Sequence, residues 1–356
     1  MSNDSWQEVA STTSSTHSAP YDSTDEPEII FSKTNVEYSG LWERTCGGLA
    51  LLFIISMWLT SLLTPLIVLA LAWIGGTVAY TLLAGLAAVT IYPYLTPGNE
   101  HDGIGSWMAF RHALPEWAQH WHKSCGRAYE GEGPDAWDHA PPTMLCYHPH
   151  GIFTQGYIIN GALHRELPKV VGILSTVLFH APIFRLVFAK WTGACVPAAR
   201  RQFLEQLTKG RSVGIIPGGF QEAAITKLNR DRVWMNKRKG FVKYALQYGY
   251  RLRPIYTFGE TDTYWNVQGA WKSRIWLGSK GIPTVLPFGA WWCPIMPRRA
   301  RLMTVFGTPI VLPKLPDPSR ADVDKWHAIY IEALTALYDR HKARYASVPD
   351  QELEVW

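Results

Sequence analysis

Two histidines stand two residues apart in Cys146-Tyr147-His148-Pro149-His150-Gly151, with a proline between them and a glycine after. The run before them, Pro142-Thr143-Met144-Leu145-Cys146, is short and apolar and reads as a strand. Side chains two apart on extended backbone point to the same side. The pair therefore aims two imidazoles into one place as the chain turns away. Three uses compete. One is packing. Another is a metal site, but no matching His, Cys or carboxylate cluster accompanies the pair, so no metal is expected. The third is general base, since imidazole titrates near neutral pH and can take a proton as an oxygen attacks. Gly151 lets backbone approach a substrate and leaves an N–H for an oxyanion.

A second turn carries a carboxylate. In Gly214-Ile215-Ile216-Pro217-Gly218-Gly219-Phe220-Gln221-Glu222 a strand runs into Pro217-Gly218-Gly219, with Glu222 three residues later. Open α/β sheets bind ligands beyond the carboxyl ends of their strands, so the two turns can meet there. Glu222 would then hold an imidazole tautomer and stabilise the imidazolium. The plainer use of Glu222 is as an exposed acid at a helix start. Basic residues crowd 227–239, and Arg238 and Lys239 among them suit the phosphates of a nucleotide-bearing ligand. An anionic lipid surface suits them equally. Gly210-Arg211-Ser212-Val213-Gly214 matches G-x-S-x-G, but here a helix precedes the serine and a strand follows, the reverse of a nucleophile elbow. Trp291-Trp292-Cys293-Pro294 with Arg298-Arg299 reads as an interfacial loop or as core packing.

The elements that must position these turns alternate. Short apolar runs at 170–174, 194–197, 212–217, 252–258 and 302–305 read as strands. Intervals at 166–168, 183–190, 199–209, 239–247 and 322–345 read as helical or turn-linked. This alternation predicts an α/β fold, a mostly parallel sheet flanked by helices. Trp326, Ile329, Ala333 and Leu337 give the last helix an apolar stripe. Residues 101–141, polar and holding Trp107, Trp117, Trp121 and Trp137, read as an interfacial segment with a short helix around 111–125. Between Arg44 and Glu100 there is no charged side chain. A spanning helix needs about 20 apolar residues, and this interval holds roughly twice that. Pro65 and Gly75-Gly76 break it, giving a membrane hairpin of two spans or a re-entrant pair, with its ends on the cytosolic side. Residues 1–40 are expected to be a disordered tail, 41–98 the membrane-embedded hairpin and 99–356 a cytosol-facing domain. The tail contains a literal H-x4-D, His17 to Asp22, which a disordered segment cannot preorganise.

Composition agrees. The net charge of +5 suits a phosphate-bearing ligand or an anionic membrane and is too small to argue for nucleic acid. The five cysteines are odd in number and form no CxxC pair, so neither a disulfide framework nor a zinc site is suggested. The 17 tryptophans favour membrane interfaces.

Read together, the blocks Tyr147-His148-Pro149-His150-Gly151, Pro217-Gly218-Gly219 with Glu222, Arg238-Lys239-Gly240-Phe241-Val242 with Ala245-Leu246-Gln247, Pro254-Ile255-Tyr256-Thr257-Phe258-Gly259-Glu260 and Gly307-Thr308-Pro309-Ile310 resemble the type 2 diacylglycerol acyltransferase family. The resemblance covers about 142–312. It implies acyl transfer from acyl-CoA, a co-substrate, to the hydroxyl of diacylglycerol, with no cofactor. It also implies residence in the endoplasmic reticulum membrane and on lipid droplets, with both termini cytosolic. Monoacylglycerol and fatty alcohols are alternative acceptors within the family, and a non-catalytic lipid-binding or transfer protein is the alternative outside it. By analogy with the H-x4-D enzymes His148 is the expected base and His150 its support. Gln155 stands where an acid would, so Glu222 is the candidate acid. Gly151, Pro217, Gly218, Gly219, Arg238 and Lys239 are the expected substrate contacts. One departure is that the family's F-L-x-L-x-x-x-N element begins at Phe203-Leu204 and is broken by Gln206. Assembly into a homo-oligomer is left open.

Overall fold

The computed structural model describes residues 27–95, 105–136, 140–167 and 169–356. The H-x4-D match and Trp137 lie outside them. Eight strands form one sheet: β1 (Ile29–Phe31), β2 (Ser124–Glu130), β3 (Thr143–His148), β4 (Val171–Leu174), β5 (Cys195–Pro197), β6 (Val213–Ile215), β7 (Arg251–Phe258) and β8 (Arg301–Phe306). Their spatial order is β1-β2-β8-β7-β3-β6-β4-β5. From β7 to β5 every pairing is parallel, as is β2 with β8; β8 is antiparallel to β7, and β1 to β2.

β3 and β7 are buried on both faces, which is why neither alternates; β7 also buries Arg251 and Arg253 near its start. Leu145 and Tyr147 join the core on one face of the sheet. Met144 and Cys146 join the core on the other. The helices are α1 (Leu41–Ile74), α2 (Gly76–Leu95), α3 (Gly105–Ala118), α4 (Arg200–Thr208), α5 (Gly219–Ile225), α6 (Gly240–Tyr248), α7 (Trp271–Ser279) and α8 (Arg320–Tyr345). The first core takes side chains from α1 and α3, the second from α6 and α8. A Ser319 capping box starts α8. Its buried stripe runs through Val323, His327, Tyr330, Ala333, Leu334, Leu337, Tyr338 and His341, with Trp326 and Ile329 half-buried at its edge. It is turned slightly from the expected one, because Tyr and His supply much of it.

Three expectations are corrected. The tail is not unstructured up to residue 40: Ile29-Ile30-Phe31, an apolar run, pairs with β2. Residues 124–130 form an inner strand, not the end of a helix. Its Arg127 and Glu130 are fully buried because Asn160 accepts from Arg127 at 2.9 Å, and Arg340 and His341 reach Glu130 at 2.8 and 2.9 Å. Of the two expected breaks, Gly75-Gly76 is where α1 ends and α2 begins, while Pro65 lies inside α1, which bends shortly before it. Helix α1 bends by 69° between Leu41–Thr60 and Leu63–Ile74. The first part packs onto the domain through Leu51, Ile54, Ile55 and Met57, each worth about 1.5–3 kcal/mol of burial. Beyond the bend the side chains are apolar and exposed, as they are along α2. Helix α2, Gly76–Leu95, is long and apolar enough to cross a membrane.

Gly47 makes that docking possible. A Cβ there would lie 2.7 Å from the Trp117 carbonyl oxygen and the Trp121 nitrogen, both backbone atoms that cannot give way. Gly47→Leu should therefore cost about 1–3 kcal/mol and lower the thermal midpoint in detergent by several degrees. Leu69→Ala, on the exposed half of α1, should leave it unmoved. An unchanged midpoint in Gly47→Leu would show that α1 is not docked this way.

Candidate active site

β7, β3 and β6 are parallel neighbours, so their carboxyl ends lie side by side. The central one delivers the histidine turn. The chain after β6 delivers Glu222, and the chain after β7 delivers Glu260. The expected meeting of the two turns is thus observed, with a third turn beside them.

His148 ends β3 and continues the face of Met144 and Cys146, pointing at α8. Its ring is fully buried. Nε2 lies 3.0 Å from Tyr330 Oη, and Nδ1 lies 3.5 Å from Glu222 Oε1, at the limit of a hydrogen bond. The Tyr330 hydroxyl donates to Nε2 if Nδ1 carries the proton that faces the carboxylate. Glu222 does more than face this ring. Its Oε1 accepts the His150 N–H at 2.6 Å, and its Oε2 accepts the Trp234 N–H at 2.7 Å. Burial pushes the Glu222 carboxyl up, but the neighbouring His148 and the Trp234 N–H outweigh it and hold the group below its ordinary value. It is an anion under the turn.

His150 sits just past the strand and is buried at the margin. Its Nδ1 lies 3.0 Å from the Gly151 carbonyl oxygen. A carbonyl only accepts, so Nδ1 carries the proton and Nε2 keeps a lone pair. Nε2 has no hydrogen-bond partner among the described residues. Burial lowers the His150 imidazole below its ordinary value, more than Gly151 and Glu222 raise it. The ring is therefore neutral near pH 7, the state a base needs.

Glycine is required at two of these positions. Gly151 has φ 61°, and a Cβ there would run into the Glu260 carboxylate. A Cβ on Gly218 would run into the carboxylate of Glu222. Pro217 precedes that turn, and Gly219 has φ 56°. The Arg238 guanidinium donates to the Gly218 carbonyl at 3.1 Å and to Gln221 Oε1, so it braces the Pro-Gly-Gly turn. Lys239 is not brought to the histidines. It pairs with Asp324 of α8 at 2.6 Å on the surface.

Glu260, Tyr330 and Trp234 were missed as site residues by sequence reasoning. Glu260 accepts the N–H groups of Gln155 and Gly156 at 3.1 and 2.7 Å. Its signal was the Gly259-Glu260 pair at the end of a strand. Tyr330 carried no signal beyond helical spacing. A cavity of about 340 Å³ lies elsewhere, at the amino ends of β3, β6 and β7, lined by residues that include Thr143, Ser212, Arg251 and Arg253. Its arginines are engaged, Arg251 by Glu132 at 2.7 Å and Arg253 by the Gly307 carbonyl at 2.7 Å. A narrow apolar cleft lies on the α1 side, lined by residues that include Ile54, Trp58, Tyr157 and Phe188. Trp58 also meets Phe153, two residues past Gly151, with ring centroids 6.0 Å apart.

Burial pushes Glu260 up to about 7, against the pull of its two N–H donors. Ionising it therefore costs more in the folded state than in the unfolded one. Its contribution to stability is full below the ordinary carboxylate value of about 4.3 and is lost as pH rises through about 7, a loss of roughly 3 kcal/mol. Glu260→Gln should flatten that fall when thermal midpoints are measured between about pH 5 and 8. A slope identical to wild type would refute a titrating Glu260.

Residues 138–356 match the protein-family model described as diacylglycerol acyltransferase. Diacylglycerol O-acyltransferase 2-like protein 6 of Mus musculus is 33% identical over 238 residues, covering 60% of this chain and 69% of that protein. Acyl-CoA wax alcohol acyltransferase 1 of Homo sapiens is 34% identical over 229 residues, covering 59% and 69%. Diacylglycerol O-acyltransferase 2 of Homo sapiens is 32% identical over 238 residues, covering 60% of each.

Proposed function

Since the chain belongs to the diacylglycerol acyltransferase family, and so is an acyltransferase, we propose that it moves a fatty acyl group from acyl-CoA to the free hydroxyl of diacylglycerol, giving triacylglycerol and coenzyme A. The observation that carries this reading is the histidine turn set over the Glu222 carboxylate at the shared carboxyl end of three parallel strands. His150 is the base, and His148 positions it. This reverses the expected roles, because both ring nitrogens of His148 face protein groups within the core.

The step is a direct displacement. His150 Nε2 takes the proton as the acceptor oxygen bonds to the thioester carbonyl carbon. The negative charge that develops on the carbonyl oxygen is met by the Gly151 N–H. The carbon–sulfur bond then breaks, and coenzyme A leaves with the proton carried by the imidazole. Arg238 serves by holding the Pro-Gly-Gly turn, and its engagement there weakens the case for it as a phosphate contact. The membrane reading is supported by the exposed apolar side chains of α1 beyond its bend and of α2. Both ends of the hairpin return to the domain. The first half of α1 packs on it, and Tyr94 at the end of α2 lies under the Arg185 guanidinium at 3.9 Å. We place both ends on the cytosolic face of the endoplasmic reticulum membrane, with lipid droplets as a second residence. The apolar cleft between α1 and the domain is the route for acyl chains.

A fatty alcohol is the second acceptor to consider, favoured by the 34% identity to a wax alcohol acyltransferase. Purified protein supplied with labelled acyl-CoA and, in turn, diacylglycerol, monoacylglycerol or a long-chain alcohol resolves this by thin-layer separation of products. The expected main product is triacylglycerol. Wax ester as main product would overturn the acceptor and keep the transferase. Coenzyme A release at background with every acceptor would overturn the enzyme.

A further inference from the structure

The first half of α1, Leu41–Thr60, has two faces. Gly47, Gly48, Leu51, Ile54, Ile55 and Met57 are buried against the domain. Leu41, Trp42, Leu49 and Leu52 point away from it and are exposed, Trp42 by 73%. A helix laid on a water-soluble domain ordinarily turns charged residues outward. This one bears no charge after Arg44.

A loop beside the start of α1 has the same character. Leu286, Phe288, Trp291 and Trp292 are exposed, Trp291 by 95%. Trp265 packs edge-on against Phe288 and is itself exposed. Trp121, half-buried under α1, links the loop to that helix. Its ring would lie 3.0 Å from a Cβ on Gly48 of α1, and its centroid is 6.2 Å from that of Trp292. Its indole N–H donates to the Pro297 carbonyl at 3.0 Å, which ties the loop down. Cations border the patch. Arg299 donates to the Trp121 carbonyl at 2.7 Å, Arg44 and the exposed Tyr38 lie close enough to act on it electrostatically, and Arg298 is exposed beside it.

Aromatic rings rimmed by guanidinium groups fit one partner chemistry in particular. Tryptophan and tyrosine settle at the headgroup level of a bilayer. Arginine there reaches anionic phosphates while its stem covers apolar surface. A second copy of the chain would bring like charges together at the rim. The geometry also fits a plane. The first half of α1 has 20 residues and so runs about 30 Å, and its outward face from Leu41 to Leu52 is apolar but for Thr45, whose hydroxyl is satisfied by the Leu41 carbonyl. The 69° bend then sends the remainder of α1 off that line.

We propose that the outer face of Leu41–Thr60 and the loop 286–299 form one strip lying flat at the headgroup level of an anionic bilayer, so that only the α1 segment beyond the bend and α2 enter the hydrocarbon. The proposal rests on the membrane placement given above and adds a second, in-plane contact by the domain itself. It makes the hairpin re-entrant. It also opens the apolar cleft beside Ile54 and Trp58 sideways into the leaflet, where a diglyceride resides.

The test places nitroxide labels on the full-length protein reconstituted in vesicles of phosphatidylcholine and phosphatidylserine. Cys46→Ser and Cys293→Ser remove the two half-buried thiols. Single labels go in through Trp291→Cys, Leu69→Cys and Lys209→Cys, all at exposed or half-exposed sites where substitution does not disturb the core. The expected result is a label at 291 reached better by oxygen than by an aqueous nickel chelate, shallower than the label at 69, with the label at 209 fully aqueous. If the label at 291 is as accessible to nickel as that at 209 while 69 stays buried, the strip is overturned and the membrane hairpin stands. If 69 is aqueous too, both fall. Protection of 291 from both reagents that grows with protein-to-lipid ratio would mean a second copy covers the patch, which also overturns the proposal.

Discussion

Two buried carboxylates hold the histidine turn by its backbone. Glu222 accepts the His150 N–H, and Glu260 accepts the N–H groups of Gln155 and Gly156. A turn leaving a buried strand has amide donors with no ladder partner, and leaving them unpaired would cost about 1–3 kcal/mol each. Here the neighbouring strands supply the acceptors, one from the turn after β6 and one from the turn after β7. Glu222 then does a second job at no extra element: the same oxygen that fixes the backbone of His150 faces the ring of His148. The glycines follow from this closeness, since Gly151 and Gly218 each lie where a Cβ would strike one of the two carboxylates.

Much of this was readable in the chain. The strand before His148, the strand before Pro217 and the strand before Gly259 are short runs, largely apolar, that end in turn residues, and each is found within two residues of where its pattern put it. The nearness of Glu222 to the histidines followed from parallel strands sharing a carboxyl end. What was hidden was hidden for physical reasons. Strand β2 carries Arg127 and Glu130 at fully buried positions, and its partners Asn160, Arg340 and His341 lie far along the chain. No local pattern announces a charge whose compensation comes from another element. Tyr330 was hidden in the same way, because a tyrosine at helical spacing reads as amphipathic surface until α8 is laid against β3. The uniform hydropathy of 45–99 concealed which part of α1 packs on the domain, since burial on a domain and burial in lipid select the same residues.

The apolar helices α1 and α2 and the site are parts of one arrangement. Helix α1 packs on the domain with Gly47 and Gly48 against the Trp117–Trp121 backbone and ring, and one wall of the apolar cleft is its Ile54 and Trp58. Trp58 in turn meets Phe153 beside the histidine turn. The cleft thus adjoins the histidine turn through the Trp58–Phe153 contact.

The central claim is that His150, with its backbone fixed by Glu222, takes the proton from the acceptor hydroxyl. Coenzyme A release by His150→Gln in proteoliposomes, with acyl-CoA and diacylglycerol at saturation, tests it most directly. Glutamine keeps a polar side chain of similar reach but has no basic nitrogen, and the ring makes no contact that holds the core. The account predicts a fall in kcat of about 10²–10⁴ with the thermal midpoint close to wild type. A His150→Gln enzyme that releases coenzyme A at the wild-type rate would contradict it.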